Sequence, residues 1–246
     1  MDAPRLKLTV LSLRYSSWSM RPWLALTHAG ADFETETVQL PHMLTPGVSS
    51  AAEVAPTPMA RRRELGSIHG LFPVLRVDGT PIHESLAICE YAADRFPEAG
   101  LWPEDALHRA RARAICCEMV SGFSALRDEL SCHLFARVPE FTPAPDTQAD
   151  IVRVFDIWHE CLEHSGGPYL FGPFGIADAM YFPVLSRFRT YRIELPHSLS
   201  GYARTLESTP AVRKLFDKAR SAPPTPIYDE YIRSLGGDPA AAMPAG

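Results

Sequence analysis

The feature that most limits what this chain can fold into is a change of periodicity near residue 100. Before it, short apolar runs alternate with single helical stretches. After it, the sequence is almost wholly amphipathic helix. Leu6 to Leu13 alternates apolar and polar residues and reads as a strand. Met20 to Ala29 reads as a helix with Pro22 in its first turn, where a missing N–H costs little, and with Gly30 to end it. Phe33 to Leu40 reads as a second strand, so the chain opens β-α-β with parallel strands and a crossover helix. Leu71 to Val77 and Thr80 to His83 flank Asp78-Gly79, a hairpin signal. A helix from Leu86 to Phe96 follows, opened by Glu84-Ser85 and stopped by Pro97. Residues 1–96 are therefore expected to form a small α/β domain with a mixed sheet.

Between the second and third strands, Pro41 to Gly70 is rich in Pro, Gly, Ser and Ala. It is expected to hold a short helix around Ala60 to Leu65 and a mobile loop. Residues 97–103 read as a linker. From 104 to 220 five helices are expected, over 105–135, 146–163, 175–187, 199–206 and 210–219, which together make an all-α helical bundle. Residues 221–246 read as a tail in which Ile227-Tyr228 and Tyr231-Ile232 can dock and the last ten residues are disordered.

Composition narrows the function classes. At 46% apolar and 22% charged, the 246 residues have an ordinary globular mix. No apolar run approaches the ~18 residues of a membrane helix, and the N-terminus lacks a long apolar signal core. The charge of −5 gives no reason to expect nucleic-acid binding; Arg61-Arg62-Arg63 reads as a solvated loop or helix face. Five cysteines without a C-x-x-C argue against a disulfide framework and for a reducing, cytoplasmic compartment. No histidine pattern suits a metal, so none is expected.

Three segments can carry chemistry. The turn Ser16-Ser17-Trp18-Ser19 meets a helix N-terminus, where orphan N–H groups favour an anion, a thiolate included. Lowering a thiol pKa by about 2 units takes about 2.7 kcal/mol, within reach of one hydroxyl and a helix end. The same serines equally suit simple capping. Pro73, inside a strand-like run, marks either an edge strand or a cis bond that frees the preceding backbone to pair with a peptide ligand. Glu84-Ser85 at a helix start either caps it or receives the ammonium and carboxylate of an amino acid.

The order of these segments resembles that of the glutathione transferase superfamily, over residues 6–220. The most specific stretch is Phe72-Pro73-Val74-Leu75-Arg76-Val77-Asp78-Gly79 followed by Glu84-Ser85-Leu86-Ala87-Ile88-Cys89-Glu90-Tyr91. The opening from Ser16 to Leu26 is similar to the serine-type, zeta-like bacterial branch. Phe174-Gly175-Ile176-Ala177-Asp178-Ala179 resembles the family's helix-capping motif.

The resemblance implies a thioredoxin-like N-terminal domain, an all-α C-terminal domain, glutathione as cosubstrate, a small electrophile as second substrate, and a homodimer. It implies Ser16 at the glutathione thiol, with Ser17 the close second and Trp18 lining the pocket. The Phe72 backbone, ahead of a cis Pro73, would pair with the cysteinyl part, and Glu84 and Ser85 would hold the γ-glutamyl end. Tyr15 ranks below Ser16, because it precedes the turn. Ser16-x-x-Ser19 stands where thioredoxin-like redox proteins carry C-x-x-C, so the turn itself cannot exchange disulfides. Leu71 departs from the usual polar residue at the glycyl carboxylate, with His69 or one of Arg61 to Arg63 as replacement. Trp18 stands in place of a cysteine, and a large indole there disfavours maleylacetoacetate isomerase activity. Gly175 replaces the usual Ser or Thr, a change bearing on stability. Cys132-His133 is a weak nucleophile–base pair, since adjacent helical residues diverge. The expected activity is attack of a glutathione thiolate on an electrophile; the alternatives are a glutathione-dependent disulfide reductase or isomerase, or a non-catalytic binding protein of the same fold.

Overall fold

The computed structural model describes residues 3–38, 66–67 and 71–241. The expectations for 41–65, including a helix around Ala60 and the Arg61–Arg63 run, and for His69 lie outside the described residues.

Four strands form one mixed sheet in the order β2-β1-β3-β4: β1 Leu6–Val10, β2 Phe33–Thr37, β3 Val74–Val77 and β4 Thr80–His83. β1 runs parallel to β2 and antiparallel to β3, and β3 pairs antiparallel with β4. The β3–β4 hairpin turns on Asp78 (φ 48°) and Gly79 (φ 87°), both in the left-handed region that a two-residue primed turn requires. β1 is shorter than its alternation suggests. The Leu11 amide turns away to Ser19 Oγ, and the Ser12 carbonyl takes the Tyr15 and Ser16 amides.

Helix α1 spans Ser17–His28 and α2 Ser85–Arg95. α1 starts three residues earlier than expected, because Ser16 caps it by accepting from the Ser19 amide. Pro22 therefore falls inside the helix rather than in its first turn. α1 is buried from Ser19 through Leu26, packed between the sheet side, α2 and two helices of the second half.

That second half holds α3 Ala106–Ser121, α4 Ser124–Glu129, α5 Pro145–Ser165, α6 Ile176–Thr190, α7 Ser200–Ser208, α8 Pro210–Arg220 and α9 Pro226–Ser234. The single helix expected over 105–135 is broken. A Cβ on Gly122 would lie 2.9 Å from the Glu118 carbonyl oxygen, and Phe123 is left-handed (φ 58°). After α4, residues 130–136 run as a non-helical strap, buried at Leu130 and from Cys132 to Ala136. A short run buried almost throughout has no period to separate strap from helix. Trp158, Tyr181, Phe188 and Tyr202 form the aromatic centre of the bundle.

The two halves share one core, and the connection between them is pinned. Trp102 Nε1 donates to Glu90 on α2, and the Ile176 amide donates to the Leu101 carbonyl. This explains Gly175. A Cβ there would sit 2.8 Å from the Leu101 carbonyl oxygen, so the linker's approach excludes the larger residue. Asp178 keeps its half of the capping motif, accepting from the Gly175 and Leu170 amides at 3.0 and 3.1 Å.

The tail also differs from expectation. α9 is a helix, and Asp238 pairs backbone to backbone with Arg137, which holds residues 237–238 within the stretch expected to be disordered. Tyr228 and Ile232 supply the apolar side chains that dock it.

Restoring the usual residue with Gly175→Ser should destabilise the protein by about 1–3 kcal/mol through overpacking against the Leu101 carbonyl. Asp178→Ala, which leaves two amides without their acceptor, should cost roughly 2–4 kcal/mol. Urea midpoints of the two variants check both; a G175S protein as stable as the original would refute the steric account.

Candidate functional site

The sheet register gathers the three sequence segments at one end. Thr9 near the carboxyl end of β1 faces Val74 at the start of β3, and Val74 faces His83 at the end of β4. The Ser16 turn follows β1, Phe72-Pro73 precedes β3, and Glu84-Ser85 follows β4, so all lie along the same sheet edge. In βα folds this carboxyl edge is where ligands bind.

Ser16 is half-buried; its Oγ accepts from the Ser19 amide at 3.3 Å, so it caps α1. Ser17 is 7% exposed and accepts from Arg187 Nη2 at 3.5 Å. Trp18 is half-buried, with the Arg21 and Arg127 guanidinium carbons 4.4 and 4.9 Å from its ring centroid. The Phe72–Pro73 peptide is cis. Phe72 lies ahead of the ladder, its ring packed with Val38, Val74 and Tyr228. Beside it, Leu71 exposes 72% of its surface, while Ser67 Oγ bonds both its amide and its carbonyl.

Glu84 caps α2 with φ 75° and ψ 134°, a backbone conformation rare outside glycine. Its carboxylate accepts from the Leu86 amide at 2.9 Å and the Ser85 hydroxyl at 3.0 Å. Glu84 is exposed and Ser85 is fully buried. The cap leaves the Ser85 amide at the helix start without a partner among the described residues, an orphan donor open to a ligand.

Tyr15 is not at the mouth of this edge. It is buried, its hydroxyl donating to Asp229 Oδ1 at 2.8 Å and accepting from the Thr225 amide. His133 Nε2 lies 3.0 Å from the same Asp229 oxygen, and its Nδ1 accepts from the Phe135 amide. Burial pushes the Tyr15 hydroxyl far above its ordinary pKa and pushes His133 down to about 4, so the imidazole is neutral at pH 7. Cys132 and His133 make no pair: the histidine is committed to Asp229, and burial raises the Cys132 thiol. The network ties α9 to the residue preceding Ser16.

Sequence reasoning passed over Asp229 and three arginines, Arg21, Arg127 and Arg187. Arg21 is fully buried, and burial together with the two neighbouring guanidiniums pushes it down to about 9. The available signal was a charge inside an apolar run, as in Met20-Arg21-Pro22-Trp23. Among the described residues no group of His, Cys, Asp and Glu could hold a metal ion.

Comparison with known proteins decides the family. The glutathione S-transferase N-terminal domain description matches residues 15–95, and the C-terminal domain description residues 104–217. This chain belongs to the glutathione S-transferase family. Its architecture is the thioredoxin-like domain plus helical domain implied by the sequence, its class is that of a glutathione-dependent transferase, and its cosubstrate is glutathione. Among curated relatives, a probable maleylacetoacetate isomerase of Caenorhabditis elegans is 28% identical, over 80% of this chain and 86% of the relative. The maleylacetoacetate isomerase of Rattus norvegicus is 27% identical, over 73% and 77%. A probable maleylacetoacetate isomerase 2 of Drosophila melanogaster is 31% identical, but the match spans only 62% of its length. Of solved structures, a Burkholderia glutathione transferase homologue with bound glutathione aligns at TM-score 0.63 and 21% identity, over 89% of this chain and all of that one. It supports the fold.

The buried His133 carries a pH signature. The unfolded chain takes a proton on this histidine near pH 6.5, the folded chain only near 4, so stability is full above about 6.5 and lost as pH falls toward 4. The loss should reach about 2–3 kcal/mol. His133→Asn should flatten urea midpoints measured between pH 7 and 4.5; an equally steep fall in the variant would place the proton elsewhere. Tyr15→Phe, which strips one donor from Asp229 and leaves the Thr225 amide unpaired, should cost about 1–3 kcal/mol at pH 7.

Proposed function

We propose that this glutathione transferase activates the thiol at the Ser16–Ser17 turn for attack on a small electrophile. The supporting observation is the convergence, along one sheet edge, of that turn with Phe72-Pro73 and Glu84-Ser85. The chain's residues divide the work by chemistry. The backbone of Phe72, outside the β1–β3 ladder, offers strand-like pairing to the peptide. The Ser85 amide suits the γ-glutamyl carboxylate, joined by the Ser85 hydroxyl once it turns from Glu84, and the exposed Glu84 carboxylate suits the ammonium. Glutathione supplies the nucleophilic sulfur. Ser16 and Ser17 donate their hydroxyl hydrogens to it, and the α1 N-terminus adds its partial positive charge. Trp18 lines the pocket and narrows it.

Leu71 offers an apolar surface where the glycyl carboxylate lies in the family pattern, so that end is held weakly on this side. The names of the curated relatives favour isomerisation as the second reading, and the bulk of Trp18 weighs against it. A homodimer in the cytoplasm completes the reading: the family resemblance supports the first, and the free thiols of all five cysteines support a reducing compartment. No described helix is long and apolar enough to cross a membrane.

Calorimetric titration of glutathione tests the site. Saturable binding is expected, weakened about tenfold or more by Ser85→Ala through the lost carboxylate hydrogen bond. Ser16→Ala should bind glutathione but lower turnover by about 10- to 100-fold and raise the pKa of the bound thiol. No binding by the wild-type protein at millimolar glutathione would refute the assignment.

A further inference from the structure

Three arginines converge behind the thiol turn with no ion-pair partner among the described residues. Arg21 on α1 donates Nε to the Met180 carbonyl at 3.1 Å, and its Nη1 is buried with no partner. Arg127 on α4 spends its nitrogens on the Val120 carbonyl and the Met119 sulfur. Arg187 on α6, 6% exposed, donates to the Leu130 carbonyl at 3.1 Å and to Ser17 Oγ at 3.5 Å. Arg21 and Arg127 also meet the face of Trp18. Among the described residues none of the three makes an ion pair; elsewhere in the protein, Arg113, Arg153 and Arg189 each clasp a glutamate through two nitrogens.

Burying unpaired like charges is expensive, and it persists where something else supplies the negative charge. The other groups facing the cluster do not. Cys89 from α2 and Cys132 from the strap are buried thiols held protonated, and Asp128 and Asp150 act on Arg127, at the half-buried rim. Asp150 is further occupied by the Leu126 amide. The missing anion therefore belongs on the Ser17 side, where the Arg187 guanidinium reaches the α1 N-terminus from the helical domain.

We propose that Arg187, backed by Arg21 and Arg127, is a positioning residue whose charge acts through Ser17 to hold the glutathione sulfur as a thiolate. Ser17 Oγ accepts from Arg187, which leaves the serine's own hydrogen for the sulfur and makes it a stronger donor. The S–H bond breaks, its electron pair stays on sulfur and the proton leaves to solvent water. This rests on the glutathione reading above and adds a contribution from the second half of the chain.

The test is a pH titration of the thiolate absorbance of bound glutathione in wild type, Arg187→Met and Arg187→Lys, alongside calorimetry. R187M should raise the bound-thiol pKa by about one unit, which is a roughly tenfold lower thiolate-to-thiol ratio at a given pH. R187K should restore most of it, which a purely structural role would not do. Glutathione affinity at a pH where the thiol stays protonated should change less than about threefold, since 1.4 kcal/mol would already be tenfold. Should R187M fail to fold, Arg127→Met at the rim should still give a smaller rise. An unchanged thiol pKa in the folded variant overturns the proposal, even with Ser85-dependent binding intact. So does a loss confined to anionic electrophiles, which would assign the charge to the second substrate. Failure of the wild-type protein to bind glutathione at all would remove the underlying site and this proposal with it.

Discussion

The burial of α1 is the constraint on which the molecule depends. A helix apolar on every side must be covered on every side. Here the sheet, which Trp23 reaches through its hydrogen bond to Thr35 on β2, and α2 cover one part, and α6 and α8 of the second half cover the rest. That requirement joins the two halves into one core and brings α6 within reach of the α1 N-terminus. It also buries Arg21, a charge that a solvent-facing helix would have carried at little cost.

The site follows from this placement. The N-terminal half brings together a helix start, a strand entry and a second helix start along one sheet edge, which suffices for a peptide-like ligand. The helical half adds what the edge lacks. Arg187 arrives behind Ser17, Arg127 beside Trp18, and the strap carries His133 to Asp229. α9 closes the arrangement by fixing Tyr15, one residue before the capping serine. Residues 200 positions apart in the chain thus set the orientation of a single turn.

Much of the fold was legible because its signals are local. Alternation located the first strand, short apolar runs the others, Asp78-Gly79 placed the hairpin, and Glu84-Ser85 marked a helix start. The failures lie at the boundaries of elements, which particular hydrogen bonds and burial moved. Ser19 drew Leu11 out of β1, the Ser16 cap moved the start of α1 so that Pro22 fell inside it, and burial on all sides left the 130–136 strap without a period to read. Gly175, a departure from the usual capping residue, became intelligible only once the Leu101 carbonyl lay 2.8 Å from its missing side chain.

The same division runs through the chemistry. Hydrogen-bonding turns and caps involve residues within a few positions of one another, so the sequence alone determined the two-part architecture, the order of the Ser16, Phe72-Pro73 and Glu84-Ser85 segments, and through them the family. The charge around the site comes from side chains at 21, 127, 187 and 229, which no local pattern relates. Only the tertiary structure decided that the three guanidiniums have no carboxylate partner among the described residues and that the aspartate locks a buried tyrosine, because electrostatic and desolvation energies depend on distance and burial in space, not on separation along the chain.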